Sequence, residues 1–273
     1  MRGWLNGKLL DDPRDPVVSL LDHGFTVGDG VFETVKVVDD RPFALTRHLA
    51  RLATSAKGLG LPAPDDATVR AGIEAVLAGQ HLPLGRIRIT YTGGISPLGS
   101  DRGDDGPTLA VAAGSMPSWE DATAIRTVPW PRNERGALSG LKTTSYGENV
   151  VALAAAHDAG ASEAIFANTA GLLCEGTGSN IFYLLGGELV TPTLASGCLA
   201  GITRALVLEW YGGVERDAPL DVLDEADEMF IVSTTRDVQA VRRCDDRELA
   251  APGPVTAEVQ RVWREREPAD LDP

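Results

Sequence analysis

The sequence predicts an α/β chain of the α+β kind, with two β-rich units joined by a short linker. Three observations carry this. Short strand signals separated by turn residues open the chain and recur in its second half. Apolar residues at helical spacing follow them in both halves. A polar stretch without periodicity, GSMPSWEDATA, lies between. The predicted division is 1–113 for an N-terminal α/β domain, 114–124 for the linker and 125–273 for a C-terminal domain, each within the usual domain range.

WLNGKLL reads as a hairpin with Asn6-Gly7 at its tip, and VFETVKVVDDRPFAL as two strands joined by Asp39-Asp40. LTRHLARLATSAKGLGL carries leucine and alanine at helical spacing, with Thr46 placed as N-cap and Gly58 and Gly60 as stop signals. A second helix is expected over about 65–78. GRIRITYTGG and PTLAVAAG follow as strands around a glycine-rich loop. Beyond the linker, AIRTVPW is a strand, 147–159 a helix, and EAIFANTAGLLCEG and IFYLLGGELVTP are hairpins. Helices at 202–211 and 256–266 and a strand at EMFIVST complete the pattern. The tail EPADLDP is expected to fray.

With 273 residues the chain can bury a sizeable core. A net charge of -14 repels phosphate backbones and anionic lipid, which argues against nucleic acid and membrane partners. No apolar run is long enough to span a bilayer, and the N-terminus lacks the apolar core of a signal peptide. Three cysteines, far apart and without a C-x-x-C pair, argue against a disulfide framework or a cysteine zinc site. No metal is expected, and the cytoplasm is the expected location.

Four features could carry chemistry. Lys142, in SGLKTTSYGENVV, is set between a glycine turn and alanine- and valine-rich helix with little other charge nearby; a solvated lysine is the bland alternative. Gly201, Ile202 and Thr203 open an apolar helix whose free N–H groups and dipole favour an anion, although Thr203 could equally be a capping residue. Glu175 ends an apolar strand before a small-residue loop. It is either an ordinary loop carboxylate or a partner for a heteroaromatic nitrogen. Arg51, on the helix HLARL, is a snorkelling arginine or a second phosphate ligand. An amine, anion ligands and a pyridinium partner are what pyridoxal phosphate requires.

The stretches GDGVFETVKV (28–37), HLARL (48–52), GLKTTSY (140–146), SEAIFANTAGLLCEGTGSNIF (162–182) and LAGITR (199–204) stand in order along the chain. On them the chain resembles the class IV (fold-type IV) pyridoxal-phosphate enzymes, which include branched-chain and D-amino-acid aminotransferases and 4-amino-4-deoxychorismate lyase. The resemblance implies a smaller N-terminal α/β domain, a larger barrel-like C-terminal domain that binds pyridoxal 5'-phosphate, and the cofactor between them. It also implies a homodimer whose partner loop closes the pocket. Lys142 then forms the Schiff base and shuttles the proton, and Glu175 pairs with the pyridine nitrogen. Arg51, Gly201, Ile202 and Thr203 hold the phosphate. Tyr146 matches a tyrosine near the ring hydroxyl, and Thr234 a phosphate-binding threonine, with Thr235 leaving the register open.

The reaction depends on groups facing the substrate. ISPLGSDRG lacks the R-x-H carboxylate clamp of D-amino-acid aminotransferases, and low aromatic content, with Phe32 and Tyr91 the nearest candidates, gives little sign of a branched-chain pocket. PRNERGALSGLK resembles the lead into the active-site lysine of aminodeoxychorismate lyases, with two extra residues between Arg132 and Lys142. The expected activity is that lyase, releasing pyruvate and forming 4-aminobenzoate for folate synthesis from aminodeoxychorismate. An aminotransferase of the same family, acting on an amino acid, is the alternative, and a non-catalytic binding protein a third. Arg88, Arg102 and Arg132 are candidate ligands for a dicarboxylate, each also readable as an ordinary surface arginine.

Overall fold

A computed structural model describes all 273 residues. The chain forms two compact units. One comprises Met1–Ser118, Leu141–Tyr146 and Leu271–Pro273; the other comprises Trp119–Gly140 and Gly147–Asp270.

In the first unit, β1 (Arg2–Leu5) and β2 (Lys8–Leu9) pair antiparallel. Asn6 and Gly7 both have positive φ, the left-handed backbone a tight two-residue hairpin needs. A single helical turn, α1 (His23–Thr26), is capped by the Asp22 side chain and precedes β3 (Gly30–Val38). Asp39 and Asp40, again at positive φ, turn the chain into β4 (Arg41–Pro42). Helices α2 (Leu45–Gly58) and α3 (Asp66–Leu77) come next, then β5 (Leu84–Thr92) and β6 (Thr108–Ser115). The six strands form one antiparallel sheet in the order β2-β1-β6-β5-β3-β4. Strand side chains alternate between faces. Val35, Val37, Ile87, Ile89 and Val111 therefore meet Leu49, Leu52, Ile73 and Val76 of the helices in one buried core.

In the second unit, β7 (Ala122–Thr127) leads to α4 (Gly147–Asp158), and β8 (Glu163–Ala167) to β9 (Leu173–Gly176). The hairpin β10 (Asn180–Leu185) and β11 (Glu188–Thr191) is followed by α5 (Ile202–Trp210), β12 (Val214–Glu215) and the short α6 (Val222–Glu225). Last come β13 (Glu228–Ser233), β14 (Asp237–Cys244), β15 (Arg247–Glu248) and α7 (Pro254–Arg266). The sheet order is β12-β11-β10-β13-β14-β7-β8-β9, with β15 on β14. β10 and β13 are buried along almost their whole length, as strands covered on both faces must be.

Three readings of the sequence are corrected. The stretch DVQAVRRC, not expected to be a strand, is β14 at the middle of the second sheet. Thr46 is not the N-cap of α2; Ala44 holds that position, at φ 53, with no side-chain cap of its own. The tail does not fray at its end: Asp272 accepts from Thr46 N at 2.8 Å and from Thr46 Oγ1 at 2.6 Å, and Ala44 N donates to Leu271 O. The last residues thus supply the cap that α2 lacks.

Candidate active site

Lys142 belongs to the first unit, in a segment laid along β3. Phe32 N donates to Lys142 O at 3.0 Å, Thr144 N donates to Gly30 O at 2.8 Å, and Val31 and Thr143 form an antiparallel bridge. From the other side, Lys142 N donates to Ser55 Oγ of α2 at 3.2 Å. The backbone is therefore held at both of its edges, and the half-buried side chain emerges where β3 presents Phe32. Lys142 Nζ is 4.6 Å from the Phe32 ring centroid, the Arg88 guanidinium carbon is 3.3 Å from it, and Tyr146 meets the same ring edge-on at 5.3 Å. Three of the predicted residues, Lys142, Arg88 and Tyr146, gather around the ring of a fourth, Phe32.

Arg51 is also in this unit. Its Nε and Nη2 donate to the two oxygens of Glu33, both at 2.7 Å, and His48 Nδ1 lies 2.7 Å from Glu33 Oε2. Burial would raise the pKa of Glu33, but the adjacent Arg51 cation, helped by His48, outweighs it and holds the carboxyl at about 2. An ionised Glu33 can only accept, so His48 Nδ1 is the donor. Burial lowers the pKa of His48 against the pull of Glu33, so the ring favours its neutral form. Glu33 and His48 were not among the expected residues. The available signal was a glutamate on the same alternating face of β3 as Val31, Val35 and Val37.

Two predicted residues of this unit stand apart from Lys142. Tyr91 packs into the helix-covered core. Arg102 donates from Nε and Nη2 to Asp29, at 2.7 and 2.6 Å, and to the carbonyls of Leu59 and Gly60. It braces the loop after β5, and its donors are spent there.

The second unit gathers the remaining candidates. Glu175, half-buried on β9, accepts from Leu199 N at 2.9 Å through Oε2. Its Oε1 lies 3.5 Å from Nε of Arg132. Asn180 Nδ2 donates to Leu199 O at 3.0 Å, tying the start of β10 to the approach to α5. Gly201 is the N-cap of α5, and no side chain bonds to the first N–H groups of that helix. A Cβ at Gly201 would fall 1.9 Å from Asn180 Oδ1, so a larger residue there would displace the Asn180 side chain. Ile202 and Thr203 are buried at the helix start. Thr234, half-buried, follows β13 in the connection to β14. A helix N-terminus whose N-cap is a glycine and a half-buried carboxylate on β9 form a set that suits a phosphate and a protonated ring nitrogen.

Comparison with known proteins agrees with this chemistry. The family model for amino-transferase class IV matches residues 30–244. A protein of Methanocaldococcus jannaschii assigned as a branched-chain-amino-acid aminotransferase is 36% identical, over 90% of this chain and 89% of that one. The D-alanine aminotransferase of Listeria innocua is 29% identical over 97% and 96%, and the aminodeoxychorismate lyase of Bacillus subtilis 25% identical over 96% and 93%. Among solved structures, the branched-chain aminotransferase of Thermoproteus uzoniensis with norvaline aligns with TM-score 0.89 at 30% identity, covering 97% of this chain and 94% of its own. An aminotransferase of Mycobacterium tuberculosis in a PLP-bound form aligns with TM-score 0.86 at 26% identity, covering 97% and 98%.

Proposed function

The chain belongs to the amino-transferase class IV family, whose members are pyridoxal-phosphate enzymes, and from that premise we propose that it is an aminotransferase for α-amino acids with apolar side chains. The observation that carries this reading is the grouping of Lys142 and Arg88 on the ring of Phe32. An amine, a cation for a substrate carboxylate and an apolar surface for a side chain meet within a few ångströms. The expected lyase activity has less support. The aminodeoxychorismate lyase named above is 25% identical, against 36% for the Methanocaldococcus protein, and Arg132, on which the expectation leaned, lies against Glu175.

Bound pyridoxal phosphate supplies an aldehyde carbon and a ring that accepts electrons. The residues proposed to hold it are Lys142, Tyr146, Arg51, Glu175, Gly201, Ile202, Thr203 and Thr234. In our reading the Lys142 amine takes the proton from the amine-bearing carbon of the substrate, while Phe32 keeps water from that amine. Arg88 binds the substrate carboxylate and fixes which bond faces Lys142. Glu175 keeps a proton on the ring nitrogen, and the start of α5 with Arg51 anchors the phosphate.

We also propose a cytoplasmic homodimer. The first unit exposes Leu20, Phe25 and Leu98 at 77%, 71% and 80%, side chains that a partner protomer could cover. No helix is long and apolar enough to cross a membrane.

The test supplies 2-oxoglutarate with leucine, valine or alanine of either hand and, separately, aminodeoxychorismate. Amino transfer from leucine or valine, lost in Lys142→Ala, supports the proposal. Pyruvate release from aminodeoxychorismate without amino transfer would reverse it in favour of the lyase. Arg88→Ala should raise KM for the amino acid by about ten- to a hundredfold, the scale of losing one charge-assisted contact.

A further inference from the structure

Arg132 was a candidate for the substrate, yet its surroundings are those of a residue serving Glu175. Its backbone is fixed to the end of β8, with Arg132 N donating to Ala167 O at 2.7 Å and Arg132 bridging Asn168 in parallel. Nη1 donates to Asn149 Oδ1 at 2.7 Å, and Asn149 Nδ2 donates to Thr177 O at 2.8 Å, two residues beyond Glu175. The guanidinium carbon stands 4.2 Å from the Phe166 ring centroid. Nε, 3.5 Å from Glu175 Oε1, is buried and has no hydrogen-bond acceptor. A guanidinium held this firmly beside a carboxylate, without bonding to it through Nε, acts on it through its field.

We propose that Arg132 is a positioning residue that keeps the Glu175 carboxylate ionised and oriented for the ring nitrogen of the cofactor. The inference rests on the assignment of Glu175 made above. A cation at 3.5 Å stabilises the anionic carboxylate against protonation. Glu175 therefore goes on accepting from the ring N–H in more acidic solution than it otherwise could. Other ionisable groups face the same place. The Glu148 carboxylate, 4.0 Å from Arg132 and 78% exposed, is screened by water. The thiols of Cys174 and Cys198 are pushed up by burial, Cys198 to about 11, and stay protonated and neutral. Lysine would keep the charge of Arg132 but not its flat stacking on Phe166.

The experiment measures binding of pyridoxal phosphate to apo-protein by equilibrium dialysis from pH 5 to 9. It compares the natural chain with Arg132→Gln, Arg132→Lys and Glu175→Gln. Arg132→Gln should match the natural chain at alkaline pH and lose affinity on acidification about one pH unit earlier, a tenfold change in proton affinity. Arg132→Lys should recover most of that shift. Equal weakening at every pH, no change, or failure of lysine to restore the profile would each overturn the proposal. If Arg132→Gln does not fold, Asn149→Asp replaces it. An anion there offsets the guanidinium charge and should move the profile the same way, and an unmoved profile counts against the proposal. Glu175→Gln reports separately: unaltered binding at all pH values in that variant removes Glu175 from its role, whatever Arg132 does.

Discussion

Glu33 in the first unit and Glu163 in the second are the most deeply buried glutamates, and they meet different kinds of partner. Glu33 on β3 is met from α2 by the charge of Arg51 and by the ring of His48. Glu163, at the start of β8, is met by Ala164 N at 3.1 Å, Thr177 N at 2.9 Å, the Thr177 hydroxyl and Ser179 Oγ at 2.9 Å. Arg236, close by, spends its donors on Ser162 and Gln239 instead. Both solutions satisfy a buried carboxylate. The first fixes an arginine where an anion can reach it. The second fixes the loop between β9 and β10 with neutral donors alone.

Breaking the charged solution should cost most. Glu33→Ala strands a buried guanidinium and should destabilise the chain by about 3–5 kcal/mol, read by denaturant unfolding. It should also weaken pyridoxal phosphate binding, because Arg51 loses the contact that aims it. Acidification should expose the same pair. His48 has its pKa lowered from 6.5, so the unfolded chain takes up that proton first and stability falls as pH drops below about 6.5. Glu33 is lowered from 4.5 to about 2, so its contribution is complete above about 4.5 and lost progressively toward 2. Glu33→Gln should be less stable at neutral pH and show a shallower loss between those values. An acid limb as steep as that of the natural chain would mean that Glu33 does not carry it.

The neutral solution should break more gently. Glu163→Gln exchanges acceptor capacity for an N–H that meets donors, at about 1–3 kcal/mol. Its signature should be local, with faster amide exchange at Thr177 and Ser179 and unaltered exchange in α2. Slowed or unchanged exchange in that loop would show that Glu163 is not its anchor.

The two glutamates also mark how far the sequence could be read. The hairpins at Asn6-Gly7 and Asp39-Asp40 were legible because positive φ at both turn positions is written in local residue types. Helix α2 was legible from spacing, and so was the start of α5 at Ile202. Partnerships were not legible. Arg51 and His48 reach Glu33 from 18 and 15 residues away, and Arg132 finds Glu175 across another hairpin. β14 was missed because Arg242 and Arg243 look like surface charge in a loop. Their guanidiniums also reach the carbonyls of Ala122, Ala159 and Gly160, over 80 residues back along the chain. Four-residue helices such as α1 and α6 are too short to show a period.

The smallest expected effect concerns the end of α2 that neither buried glutamate touches. Ala44 sits at φ 53 with no side chain able to accept from the helix, and Asp272 supplies the carboxylate from the far end of the sequence. An anion at a helix N-terminus meets both the unpaired N–H groups and the positive end of the dipole. Asp272→Ala should therefore cost about 1 kcal/mol. Because the helix that it caps also carries His48 and Arg51, fraying at Thr46 should reach the charged pair before it reaches anything near Glu163. Amide exchange at Thr46, Arg47 and His48 should quicken in Asp272→Ala while Thr177 stays protected. Quickening at Thr177 of the same size would mean that the two glutamate sites are not independent in stability.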